Sequence, residues 1–108
     1  MPVFMTQFAY TPEAWAAFTK NPENRTKALQ DLAQKFGARF EALYYSLGKY
    51  DGFVIVEAPD ETTGTAMVLA AIAPGHLRAT KTTLLLRPEA MVEAMKKASG
   101  VVYPGPKT

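Results

Sequence analysis

The chain has 108 residues, ten acidic and twelve basic, for a formal net charge of +2, and no cysteine. That length suits one domain with one core, and the missing thiols exclude disulfides, cysteine nucleophiles and cysteine metal sites. The basic residues are scattered rather than gathered in a stripe, which argues against nucleic-acid binding, and the longest apolar run, "AMVLAAIAP", is too short to cross a bilayer. The opening "MPVFMTQFAY" lacks a basic n-region and a long apolar stretch, so no secretory signal and a cytoplasmic location are expected.

Residues 3–10, "VFMTQFAY", are rich in apolar and aromatic side chains and predict a strand. Thr11-Pro12 ends it: Thr11 can cap a helix that opens on Pro12, which has no N–H to leave unpaired. "PEAWAAF" is then a short helix. Asn21-Pro22 reads as the same cap chemistry before a longer helix to about Phe36, with Ala28, Leu29, Leu32, Ala33 and Phe36 at helical spacing and Gly37 as its stop. A second strand is expected over 38–47 and a third over 53–58, joined by the turn "GKYDG" with a glycine at each end. Pro59 closes the hairpin, and Asp60 can cap a helix from about Glu61 to Ala73. A fourth strand over 76–86 and a helix from Pro88 toward Gly100 complete the domain, residues 1–100, before an aperiodic tail, 101–108.

The order β, α, β, β, α, β plus a final helix predicts an α+β fold. It is a ferredoxin-like split βαβ with helices on one face of a four-stranded antiparallel sheet. Both faces of the strands are apolar. Val3 and Met5 alternate with Phe4 and Phe8; Phe40, Ala42 and Tyr44 with Leu43, Tyr45 and Leu47; Phe53 and Ile55 with Val54 and Val56. One face belongs to the helices, so the other needs a cover, and a second copy of the chain is the simplest. A homodimer or larger homo-oligomer is therefore expected. The helix containing "AMVLAAIA", apolar all round, points the same way.

"LGKYD" followed by "FVIVEAPD" resembles the signature of the GYD domain family, with Gly48, Tyr50 and Asp51 in the motif. "NPENR", Pro59-Asp60 and "TKTTLL" extend the resemblance over nearly the whole chain. It implies a dimeric α+β barrel, in which two ferredoxin-like sheets face each other. Relatives in that wider superfamily include cofactor-free monooxygenases, isomerases, haem-degrading enzymes and ligand-sensing domains, so the resemblance does not select an activity.

Six residues are candidates for a ligand site: Tyr45, Tyr50, Asp51, Glu57, His76 and Arg78. Tyr44 and Tyr45 point to opposite faces, so at most one of them enters a given cavity. Depending on register, Glu41 or Glu57 shares a face with aromatic residues, and a buried carboxylate needs a partner or a ligand. His76, the only histidine, stands alone without ligand spacing around it, so no metal site and no cofactor are expected. Arg78 could meet an acidic ligand group. Asp51 can serve the turn through backbone N–H bonds or act as base or acceptor at a pocket. It is expected to lie on the order of 30 Å from His76 at about 3.3 Å per strand residue, and near Arg87 instead. Three functions remain open: a small-molecule-binding barrel, a cofactor-independent enzyme on a small aromatic substrate, and an oligomerising module with no pocket. A cavity of roughly 300 Å3 or more separates the first two from the third.

Overall fold

A computed structural model describes residues 1–107. β1 (Val3–Tyr10) leads through α1 (Pro12–Lys20) and α2 (Thr26–Lys35) to β2 (Arg39–Tyr45) and β3 (Gly52–Glu57). α3 (Glu61–Ile72), β4 (Leu77–Leu85) and α4 (Pro88–Ala98) follow. The strands form one antiparallel sheet in the order β2-β3-β1-β4, which is the ferredoxin-like arrangement. No helix among the described residues is long and apolar enough to cross a membrane.

The local signals explain most boundaries. Thr11 Oγ1 accepts from the Ala14 N–H at 3.1 Å, with Pro12 as the first residue of α1. Asp60 caps α3 by accepting from the Thr63 N–H at 2.7 Å. That bond and its neighbours stabilise the carboxylate and hold Asp60 below its ordinary pKa. Gly37 stands at φ 64°, where a side chain would be strained, and stops the chain just after α2. One cap differs from expectation. Asn21 closes α1 rather than opening α2, its N–H bonding the Ala17 carbonyl. α2 begins only at Thr26, whose N–H is taken by Asn24 Oδ1 at 2.9 Å. Pro22 therefore lies in a connection, where its fixed φ and missing donor are tolerated.

Phe4, Thr6, Phe8 and Tyr10 of β1 face the helices together with Val54 and Val56 of β3. Phe8, Tyr10 and Ala14 form the buried nucleus, with Phe18, Leu43, Val54 and Leu77 packed around it. Gly64 lets α3 approach β1, since a Cβ there would stand 2.6 Å from the Phe4 ring. β2 carries a bulge between Phe40 and Ala42. The extra residue flips the alternation, so Phe40 joins Leu43 and Tyr45 opposite Val56, Val54 and Gly52. The expected grouping of Phe40 with Ala42 and Tyr44 is thus corrected.

The other face of the sheet carries Met5, Ile55, Phe53 and Tyr44, and the last two stack with ring centroids 5.6 Å apart. Tyr44 is 63% exposed. None of the residues of α4 is buried, and Met91, Val92 and Met95 are open to solvent. The radius of gyration, 17.8 Å, exceeds the roughly 13 Å of a compact domain of this length. The C-terminal part therefore reaches away from the core.

Strand direction overturns one further expectation. β3 and β4 both run antiparallel to β1, so both begin beside its C-terminal end. Gly52 pairs with Phe8, and Leu77 with Tyr10. The β2–β3 turn and the start of β4 share one end of the sheet; Arg87 lies at the other. There Arg87 pairs with Glu57 at 3.0 Å and approaches Glu41 at 4.0 Å. The anticipated Asp51–Arg87 pair does not form.

Candidate functional site

Asp51 is fixed by the end of β1 and by α1. Its N–H bonds the Phe8 carbonyl at 2.8 Å. One carboxylate oxygen, Oδ2, accepts from the Tyr10 N–H at 2.8 Å and from the indole Nε1 of Trp15 at 3.1 Å. The carboxylate therefore does the work of a strand partner for the last residue of β1 and docks the first turns of α1. Ser46 Oγ donates to the Tyr50 carbonyl at 3.0 Å and ties the turn across its base.

Around Asp51 the aromatic side chains interlock. Tyr10 meets Phe8, Trp15 and Phe18 edge to face, with centroids 5.0–5.2 Å apart, and Phe8 meets Tyr45 in the same manner at 5.9 Å. Such edge-to-face pairs add about 0.5–1.5 kcal/mol each beyond their buried area. The Tyr10 and Tyr45 hydroxyls are 3.3 Å apart. Burial, the Tyr45 hydrogen bond and the Asp51 charge all disfavour the Tyr10 phenolate, outweighing Arg25, so its pKa lies well above the ordinary 10.0.

The sign of that shift fixes a pH prediction. A phenol that ionises later in the folded than in the unfolded state contributes stability in full below about pH 10 and loses it as the pH rises further. Tyrosinate absorbance should show one phenol that stays protonated until the fold opens. Tyr10→Phe should abolish that late step and flatten the alkaline loss of stability. Retention of the late step in Tyr10→Phe would assign it to another tyrosine.

Two cavities flank this cluster. Between the sheet and the helices α2 and α3 lies a cleft of about 370 Å3. Phe4, Phe8, Leu29, Leu32, Val54 and Met67 wall it, and Thr6, Arg25 and His76 add polar atoms. Thr6 Oγ1 pairs with Thr82 Oγ1 at 3.0 Å. On the other side of α1 an open groove of about 590 Å3 runs between Trp15, Phe18 and Glu23 and the segment Tyr45, Ser46, Leu47 and Asp51.

The six candidates from the sequence distribute as follows. Tyr45 and Asp51 line the groove together, and His76 lines the cleft. Tyr50 is half-buried in the turn beside Asp51. His76 is exposed, and its carbonyl accepts from the Thr11 N–H at 2.9 Å. That places it at the same end as Asp51, although among the described residues no hydrogen bond joins the two side chains. Arg78 is exposed beside the register shift of β4, without an ion pair among the described residues. Glu57 stands at the opposite end with Arg87, in an ion pair half open to water that contributes at most about 1 kcal/mol. The sequence reading missed Trp15 and Tyr10. Their signal was positional: Tyr10 ends β1 and Trp15 follows Thr11 by one helical turn, so both fall beside the turn once strand direction is right.

The profile of the GYD domain family matches residues 4–95. The chain is 33% identical over 78 residues to "Glutamine synthetase and cystathionine beta-lyase binding protein" of Thermus thermophilus, covering 72% of this chain and 82% of that protein. The solved structure of MtbAldR superposes with a TM-score of 0.59 at 14% identity, over 80% of this chain and 53% of that one. The chain thus spans about half the length of that neighbour, and the likeness speaks to the fold alone. An uncharacterized NIPSNAP domain protein from Burkholderia xenovorans gives a TM-score of 0.45 at 19% identity, over 81% of this chain and 94% of that chain.

Proposed function

The chain belongs to the GYD domain family, and from that premise we propose that it binds a small, mainly apolar molecule in the cleft between its sheet and helices. The observation that carries this reading is the cleft itself. An apolar cleft of about 370 Å3, partly open to solvent, lies where α2 and α3 cover the sheet. That volume falls in the range of ligand pockets, and an apolar wall with a few polar atoms is their usual composition. The wall supplies hydrogen-bonding hydroxyls, with Tyr10 kept neutral, which suits binding and orientation more than proton abstraction.

A second reading, association with proteins, has its own support. The Thermus relative is named for two enzymes it binds, and the sheet face bearing Tyr44 and Phe53 has no helix of α1–α3 over it. A second copy of the chain placed there would bury both rings, the homodimer expected from the two apolar strand faces.

Native mass spectrometry of protein taken directly from cells tests both. The ligand reading expects an adduct of a few hundred daltons on the 11.8 kDa chain, lost in Ala71→Trp, which fills the cleft from α3. An adduct that survives Ala71→Trp, or a bare chain that no member of an apolar ligand library stabilises thermally, would overturn it. The association reading expects multiples of the chain mass, and a persistent monomer at micromolar concentration defeats self-association.

A further inference from the structure

We propose that the groove between α1 and the β2–β3 turn is a binding site for a small organic ammonium ion. It is separate from the cleft and does not rest on the cleft's being occupied. Three aromatic side chains, Trp15, Phe18 and Tyr45, line it, and the guanidinium beside it, that of Arg25, is paired with Glu23. Trp15 is 39% and Tyr45 49% exposed, so part of each side chain stays open to solvent beside its protein contacts. Aromatic faces attract cations through the ring quadrupole. A charged group already uses one ring here: the Arg25 guanidinium carbon sits 5.6 Å from the Phe18 centroid, within the roughly 6 Å reach of that attraction.

The groove also holds one uncommitted negative charge. Of its two carboxylates, Glu23 is paired with Arg25 at 2.6 Å. Asp51 has no cationic partner among the described residues. Its Oδ2 takes both the Tyr10 and Trp15 donors, while no protein donor among the described residues reaches Oδ1. The charge is held still by those two bonds, and the rings by their edge-to-face contacts, so the site needs little ordering when a ligand arrives. A carboxylate beside aromatic surface selects a cation that also has apolar substance. A metal ion or a fully hydrated ammonium would gain nothing from the rings, and an anion would be repelled by Asp51. Leu47, fully exposed at the groove edge, adds apolar surface for the substituents of an alkylated ammonium.

Trp15 is the only tryptophan and reports directly on the groove. Choline serves as the probe, with dimethylbutanol, its neutral carbon isostere, as the comparison, at constant ionic strength. Choline should change Trp15 fluorescence saturably, and the isostere should bind at least about tenfold more weakly, which at about 1.4 kcal/mol per tenfold is within the range of one desolvated cation–aromatic contact. Asp51→Asn keeps an oxygen for the Tyr10 and Trp15 donors and removes the charge. It should weaken choline about tenfold and leave the isostere unchanged. Equal binding of choline and the isostere to the unaltered protein would overturn the proposal without any variant being needed. So would a linear, unsaturable response to choline, or an Asp51→Asn protein that folds and binds choline as before.

Discussion

Gly52→Ala is expected to destabilise the protein by about 3 kcal/mol, and Gly48→Ala, at the other end of the same turn, to change stability by less than about 0.5 kcal/mol. The two glycines look equivalent in "GKYDG", but their surroundings differ. A Cβ on Gly52 would lie 2.6 Å from the Tyr44 carbonyl oxygen and 2.7 Å from the tip of the Phe8 ring. The carbonyl belongs to the β2–β3 ladder, where Tyr45 pairs with Gly52, so it cannot withdraw without opening the hairpin. Phe8 is buried in the nucleus with Tyr10 and Ala14 and has little room to turn. Neither glycine has positive φ, so the requirement at Gly52 is space for a close approach and not backbone freedom. A Cβ on Gly48 would meet nothing within 4 Å. Urea unfolding of the two variants, compared at equal m value, measures the difference. Coincident midpoints would mean that the Tyr44 carbonyl yields at no cost and that the hairpin opens readily at Gly52.

The contrast shows what a single sequence reveals and what it hides. Element order was legible because the signals are local: Thr11-Pro12, Pro59-Asp60 and Pro88 each mark a boundary through cap or ring chemistry. The alternation in β3 was legible because its strand is regular. Phe40 was misplaced because a bulge leaves no mark on composition, only on the count of residues between partners. Placing Asp51 far from His76 followed from strand direction, a property of the whole sheet. Once β3 and β4 are both set antiparallel to β1, the turn, Thr11, Trp15 and His76 converge on one end. The site therefore combines Tyr10 of β1, Trp15 of α1, Tyr45 of β2 and Asp51 of the turn, from two stretches of chain far apart in sequence. Only the last two stood out by type and position in the sequence; the glycine and tyrosine of the motif drew attention to the turn, while its chemistry came from the aspartate and from α1.

Asp51→Ala is expected to cost about 2–3 kcal/mol, and Asp51→Asn about 1 kcal/mol. The Tyr10 N–H sits at the buried end of β1, where the register with β4 shifts and the regular ladder gives way. Its acceptor is the Asp51 side chain at 2.8 Å, not a strand carbonyl. Removing that oxygen leaves a donor with no replacement close by and releases the Trp15 indole as well; a donor bonded to a charged acceptor loses about 1.5–3 kcal/mol. Asparagine retains an oxygen at the same distance from the backbone, so it preserves both bonds and forfeits only their charge assistance. Amide hydrogen exchange at Tyr10 separates the two roles. It should quicken strongly in Asp51→Ala and little in Asp51→Asn, because the opening that exposes that N–H is governed by the acceptor and not by its charge. Equal quickening in both variants would place the stabilisation in the charge alone. The groove would then owe its shape to the aromatic contacts around Tyr10, with Asp51 contributing only the field that a bound cation would meet.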